Sequence, residues 1–223
     1  MRGFKDMITV VAISDTHLKE FDIPFGEILI HCGDALLHGD MQELNKFAKW
    51  WNALPHPNKI YVPGNHCRIF EFKENEARAM LHNTHVLIDQ TIEIGGLKIH
   101  GTPQTPEFCG WAFMHLDNRE GLGKYFDLIP DGLDILVSHG PPKGFLDDAP
   151  SDPGAGVGSV ELLKAIERAK PKYVLVGHIH CGRTQGIGGI DNYGSIQIIN
   201  CSNVNERYKY AYPPRIIEFP DKK

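Results

Sequence analysis

The stretch ITVVAISDTH, residues 8–17, decides the fold. From Ile8 to Ile13 every residue is apolar or β-branched, as in a strand covered on both faces. The run then stops at Ser14-Asp15-Thr16-His17. Four later stretches repeat this construction: ILIHCGD at 28–34, IYVPGNH at 60–66, ILVSHG at 135–140 and YVLVGHIH at 173–180. Five predicted strands thus each end by delivering Asp, Asn or His to a loop. Further apolar runs at Val86–Ile88, Ile196–Ile199 and Ile216–Phe219 add strands without such endings.

Helical patterns lie between the strands. Residues 40–53 place Leu44, Phe47, Ala48 and Trp51 on one face behind Asp40 as N-cap. Residues 73–82 carry Ala77, Met80 and Leu81, and residues 159–169 carry Leu162, Leu163 and Ile166 behind Ser159, with Pro171 just beyond. TIEIGGLKIHGTP, residues 91–103, alternates around Gly95-Gly96 and predicts a hairpin. Strands alternating with helices predict a layered α/β fold, and no boundary or repeat divides the chain, so residues 1–223 are taken as one domain. The stretch GPPKGFLDDAPSDPGAGVG, residues 140–158, predicts a long loop, either functional or a plain surface connection.

Composition narrows the function. The chain has 28 acidic against 23 basic residues, a net charge of −5, which disfavours a protein that grips long nucleic acid. Its five cysteines, Cys32, Cys67, Cys109, Cys181 and Cys201, form no CxxC pair, which argues against a disulfide framework or a thiolate zinc site. The apolar run from Met7 to Ile13 is too short for a signal segment, and no run reaches the ~18 apolar residues of a membrane span. Reduced thiols and these absences predict a cytoplasmic protein with no membrane partner.

In open α/β sheets, loops at the carboxyl edge gather ligands. Oxygen and imidazole donors without thiolate suit Mn, Fe, Zn and similar divalent ions. Asp-x-His and His-x-His put two donors on one side of an extended segment, and the carboxylate of Asp34 has two oxygens with which to bridge two ions. Taken singly, each motif is a turn residue or a satisfied polar group at a strand end. Five in order, each at a predicted strand end, are not explained that way.

The order D-x-H, G-D, G-N-H, a lone His before Gly and G-H-x-H resembles the calcineurin-like metallophosphoesterase superfamily over residues 15 to 180. PEFCGWAF at 106–113, SHGPPKGF at 138–145 and the C-terminal INCSNVN with PPRIIEF resemble its metallophosphoesterase-domain-containing branch, related to class III cyclic nucleotide phosphodiesterases. The resemblance implies a four-layer α/β/β/α sandwich holding two divalent ions, Mn2+ first, with Fe, Zn, Co or Mg as alternatives. It implies Asp15, His17 and His180 around one ion, Asn65, His139 and His178 around the other, and Asp34 between them. His66 would stand near the phosphate as proton donor or charge stabiliser. In physical terms, two ions ~3.5–4 Å apart bind both non-bridging phosphate oxygens and acidify a bridging water for in-line attack. The leaving alkoxide then needs a proton, which His66 is placed to give.

The expected substrate is a small phosphodiester, cyclic nucleotides included. The competing classes are a phosphomonoesterase or nuclease, and an inert scaffold that binds proteins. All seven expected ligands and His66 are present, which weakens the scaffold reading. Phe108, Trp111 and Phe113 either stack a nucleobase or form an apolar contact or dimer surface, and a homodimer is one of the assemblies left open. Arg68 either contacts phosphate or is a surface charge. Asp147, Asp148 and Asp152 are expected to form a solvated acidic rim. In many relatives an acidic residue follows the Gly-Asn-His histidine; here Cys67 does, which leaves open what orients His66. Cysteines beside the motifs either make the centre redox-sensitive or simply pack at strand ends, the latter preferred. The run NERYKY, residues 205–210, carries no assigned role.

Overall fold

The computed structural model describes residues 7–150 and 154–220. In chain order the strands are β1 (Met7–Ile13), β2 (Ile28–His31), β3 (Asn58–Tyr61), β4 (Thr84–Val86), β5 (Gln90–Ile94) and β6 (Leu97–Thr102). There follow β7 (Thr105–Pro106), β8 (Met114–His115), β9 (Ile135–Ser138), β10 (Tyr173–Val176), β11 (Ile190–Tyr193), β12 (Ile196–Asn200) and β13 (Arg215–Pro220). The helices are α1 (Met41–Ala53), α2 (Ile69–Phe72), α3 (Glu74–Met80), α4 (Lys124–Phe126) and α5 (Val160–Ala169).

Two large sheets result. The first runs β13-β1-β2-β3-β4, parallel apart from β13. The second runs β11-β12-β10-β9-β6-β5, with antiparallel strands at both edges. β7 and β8 form a small separate pair. The pleat sorts each continuous apolar run onto two faces. In β1, Val10 and Ala12 pack between the sheets with Ile30, Ile99, Val137 and Leu175, while Val11 and Ile13 pack outward with Leu44, Phe47 and Trp51 of α1. Leu136, Val174 and Val176 of the second sheet pack outward with Phe126 of α4 and Leu162 and Ile166 of α5. The order is helix, sheet, sheet, helix, the expected four-layer sandwich. Burying Trp51, which is fully enclosed, contributes roughly 1.5–3 kcal/mol.

Asp40 caps α1 by accepting from the N–H groups of Gln42 and Glu43, and Ser159 caps α5 by accepting from Leu162 N. The hairpin β5–β6 turns at Gly95 and Gly96, both with positive φ. α3 is shorter than the expected 73–82 because Lys73 (φ −141°, ψ +52°) is not helical and Leu81 (φ −98°, ψ +90°) leaves the helix for extended backbone. β4 lies at Thr84–Val86 rather than 86–88; Asp89, with φ +53°, turns the chain. Among the described residues no helix is long and apolar enough to cross a membrane.

Of the expected acidic rim, Asp147 is not solvated. Asp147 is buried, and its Oδ2 accepts from Gly144 N at 3.0 Å and Gly158 N at 3.1 Å, pinning the two ends together. Asp148 is exposed, and Asp152 lies outside the described residues.

The sheets meet at their carboxyl edges. Asn203, beyond β12, donates its N–H to Ser14 O at 2.9 Å, and Ser14 N donates to Asn203 Oδ1 at 3.1 Å. Beside this clasp the chain of the first sheet reaches Asp15 and that of the second reaches His178, whose N–H donates to both Asp15 oxygens at 3.0 and 3.1 Å.

Candidate metal centre

Asp15, His17 and His180 converge, with one donor atom of each within 4.8 Å of the others; Asp34, His139 and His178 form a second such group. Each group draws on both sheets. Asn65 joins the second, its Oδ1 2.9 Å from His139 Nε2.

The backbone at these strand ends is bent to serve the side chains. Asp15, His17, Asp34 and His178 all have φ between +43° and +63°, the left-handed region in which a residue with a Cβ is strained. Compensating bonds hold them: Asp15 N donates to Gly33 O at 2.8 Å and His17 N to Asp34 O at 3.1 Å. The motif glycines provide room. A Cβ at Gly64 would lie 2.6 Å from Asp34 N and 2.7 Å from His139 Cε1, and one at Gly177 would lie 2.5 Å from Asp15 Oδ2.

The imidazole tautomers follow from their partners, because a carbonyl only accepts. His17 Nδ1–H donates to Leu36 O at 2.8 Å, His180 Nδ1–H to Asn205 O at 3.2 Å, and His139 Nδ1–H to Cys32 O at 2.9 Å. In the neutral rings each Nε2 lone pair then points into the centre. Those of His17 and His180 face each other at 3.3 Å, and that of His139 faces Asn65 Oδ1 and, at 3.3 Å, Asp34 Oδ2. The ring of His178 makes no hydrogen bond to a described residue. Acceptors aimed at acceptors in a buried space are what a divalent cation satisfies, and the oxygen and imidazole set fits one.

The electrostatics mark a centre that draws positive charge, whether as protons on imidazole or as a cation. Burial opposes ionisation of Asp15, yet His180 and His139 hold its pKa down to about 2. Asp34 is likewise held well below the carboxylate range, against burial, by His139, His66 and His17. Burial pushes His178 down to about 4, helped by His139, so that ring stays neutral. Burial works against His139 too, but Asp34 raises it to about 9.

His66 stands beside these groups. Its N–H donates to Asp34 Oδ1 at 2.8 Å, its Nδ1–H to Leu37 O, and its Nε2 lies 4.0 Å from Asp34 Oδ2. A backbone carbonyl therefore orients this ring. Cys67 points the other way, buried with its Sγ 3.1 Å from Tyr61 Oη. The ring of Trp111 lies 4.3 Å from that of His66. His31, from the strand ending that leads to Asp34, is a bracket beneath the centre, fully buried between Thr16 Oγ1 and Gly33 N.

A cavity of about 640 Å³ opens onto the centre. Asp34, Asn65, His66, His178 and His180 form its polar floor, Phe108, Trp111, Ile179 and Tyr208 much of its apolar wall, and Glu107 and Glu206 are its added charges; among the described residues no Lys or Arg lines it. Trp111 thus lines the cavity. Phe113 does not: it is 5% exposed and belongs to the core cluster that includes residues of α1 and α2, its φ of +56° turning it inward. Arg68 does not line the cavity either; its guanidinium sits 5.7 Å from the Phe72 ring centre.

The unassigned run 205–210 proves to be part of this place. Asn205 O receives the His180 hydrogen bond, and the Tyr208 ring stands edge-on to His17 at 4.7 Å and to His180 at 5.1 Å. Residues so far along the chain reach the centre through the Ser14–Asn203 clasp, which no local pattern announces.

The family described as Calcineurin-like phosphoesterase matches residues 8–182. Metallophosphoesterase domain-containing protein 1 of Homo sapiens is 34% identical over 236 residues, covering 94% of this chain and 70% of its own length. A UPF0046 protein of Caenorhabditis elegans is 34% identical over 239 residues, covering 97% of this chain and 83% of its own. The crystal structure of TT1561 of Thermus thermophilus superposes with a TM-score of 0.56 at 13% identity, covering 97% of this chain and all of that one, a likeness of fold.

Proposed function

We propose, for a chain that belongs to the calcineurin-like phosphoesterase family, that it is a phosphodiesterase acting on small phosphodiesters, cyclic nucleotides among them, with two divalent cations, Mn2+ first. One observation carries the reading: two groups of carboxylate and imidazole donors, with Asp34 set among them, turn their lone pairs into the floor of one cavity. Asp15, His17 and His180 would hold one cation, Asn65, His139 and His178 the other, and Asp34 both. Cations there supply Lewis acidity toward phosphoryl oxygens and lower the pKa of a water for attack on phosphorus.

The chain's own residues do the rest. Leu37 O fixes the proton of His66 on Nδ1, so Nε2 is the atom that meets the substrate. To protonate a leaving alkoxide, His66 must be the imidazolium, with its Nε2–H as the donor. Trp111 beside it limits where that ring can swing. The wall supports the diester over other ester classes. A monoester dianion or a polyanion would bring extra charge into a space with Glu107 and Glu206 and no described Lys or Arg. A diester carries one charge and flanks it with groups that suit Phe108, Trp111 and Tyr208.

The test is Mn2+-supplemented hydrolysis of bis-p-nitrophenyl phosphate against p-nitrophenyl phosphate, with Asn65→Ala and His66→Ala alongside. The reading expects faster cleavage of the diester and a loss in both variants. Preference for the monoester would make the protein a phosphatase. No cleavage by folded protein carrying Mn2+ would favour the inert scaffold.

A further inference from the structure

We propose that Tyr208 is a further catalytic residue whose hydroxyl donates a hydrogen bond to a phosphoryl oxygen of the bound substrate. The inference rests on the phosphoesterase reading above and adds to it a group from a segment without regular structure.

The turn that carries Tyr208 is tightly built. Asn205 Oδ1 accepts from Arg207 N at 3.0 Å and Lys209 N at 3.2 Å, Asn205 N donates to Lys209 O at 2.9 Å, and Tyr208 N donates to Asn205 O at 2.8 Å. Within it Tyr208 takes φ +55°, a left-handed conformation that strains an aromatic residue. The strained backbone sets the ring against His17 and His180. His17 also touches His66 at 5.0 Å, so Tyr208 and His66 flank the same imidazole. Asn205 ties the turn to the centre a second time, through His180.

Packing alone does not account for the phenol. Tyr61 and Tyr193 engage their hydroxyls, with Cys67 Sγ and Glu167 Oε1. The Tyr208 hydroxyl meets no described partner, and the residue is 40% exposed along the cavity. A phosphoryl oxygen turned toward that wall finds no described Lys or Arg. A neutral O–H donor there matches a singly charged diester without raising affinity for polyanions. The competing account makes the ring a cover over two imidazoles and its hydroxyl idle.

Tyr208→Phe keeps the ring and removes the hydroxyl; Tyr208→Leu removes both. Three readouts are taken on Mn2+-loaded protein: Mn2+ content, calorimetric affinity for inorganic phosphate, and kcat/KM on bis-p-nitrophenyl phosphate. Tyr208→Phe is expected to keep its Mn2+, bind phosphate about tenfold more weakly and lose about 10- to 100-fold in kcat/KM. Unchanged phosphate affinity and kcat/KM in Tyr208→Phe, with losses confined to Tyr208→Leu, would show a cover and overturn the proposal. Should the wild-type protein cleave no diester, the phosphodiesterase reading fails by itself. The phosphate affinity of Tyr208→Phe still decides whether the hydroxyl reaches the anion.

Discussion

His17 and His180 point their Nε2 atoms at each other across 3.3 Å, and each has given its Nδ1 hydrogen to a backbone carbonyl. Neutral imidazoles cannot hydrogen-bond in that arrangement. Without a cation the pair repels or takes up a proton, and a cation removes the conflict. Chelation should therefore lower thermal stability and Mn2+ should restore it, by several degrees at saturating metal. His17→Ala relieves the repulsion, so the chelated variant should melt close to chelated wild type but respond little to Mn2+. A full Mn2+ response in His17→Ala, read by differential scanning fluorimetry, would remove His17 from the first group.

The glycines differ in how much they matter. A Cβ at Gly64 would press on Asp34 and His139 together, with no flexible chain end to yield. Gly64→Ala should cost at least about 2 kcal/mol and lower diesterase activity 100-fold or more. Gly132, outside the motifs, has a positive φ of +71° and open space around it. Gly132→Ala should cost about 1 kcal/mol, the backbone strain alone, and leave activity intact. Chemical denaturation and steady-state rates on both variants make the comparison.

His66 takes its orientation from Leu37 O, so Cys67 is not part of the proton path. Burial, with Asp34 adding, pushes the Cys67 thiol up to about 11, so it is a protonated, poorly reactive thiol at neutral pH. Cys67→Ala should keep kcat within about threefold while costing roughly 1–3 kcal/mol through the cavity and the unpaired Tyr61 hydroxyl. Mild peroxide should leave wild-type activity unchanged. A tenfold fall in kcat for a variant that melts normally would return Cys67 to the mechanism.

Stability should fall in acid partly through His100, which belongs to neither donor group. It is buried on β6, its Nδ1 2.8 Å from Thr91 Oγ1 and its Nε2 without a partner among the described residues. Burial pushes its pKa down from 6.5 to about 4. The unfolded chain therefore binds the proton more tightly. The contribution is complete above pH 6.5 and is lost as pH falls from there toward 4, by about 2 kcal/mol between pH 7 and pH 5. His100→Leu should flatten the urea stability profile by that amount. Equal slopes for variant and wild type would place the titration elsewhere.

Much of the centre is legible in the chain itself. Strand ends that stop abruptly on Asp, Asn and His are conspicuous because hydrophobic burial makes the preceding residues so uniform; Asp15, Asp34, Asn65, His139 and His178 all stand out that way. What is illegible depends on backbone handedness or on distant contacts. Phe113 belongs to an aromatic cluster in sequence but turns into the core through its positive φ. Asp147 reads as a surface charge until its two glycine partners are in place. Tyr208 sits among charged residues with no period, and only the clasp at Ser14 and Asn203 brings it over His17.

That clasp, together with donor groups drawn from both sheets, has a consequence for descent. A relative that discards the chemistry also discards a rivet between its two halves, since each cation in the proposed centre would be shared by both. Catalysis and architecture are then inherited together. A non-enzymatic descendant would have to grow a new fastening at that edge, such as an ion pair or an apolar plug, before its histidines were free to drift.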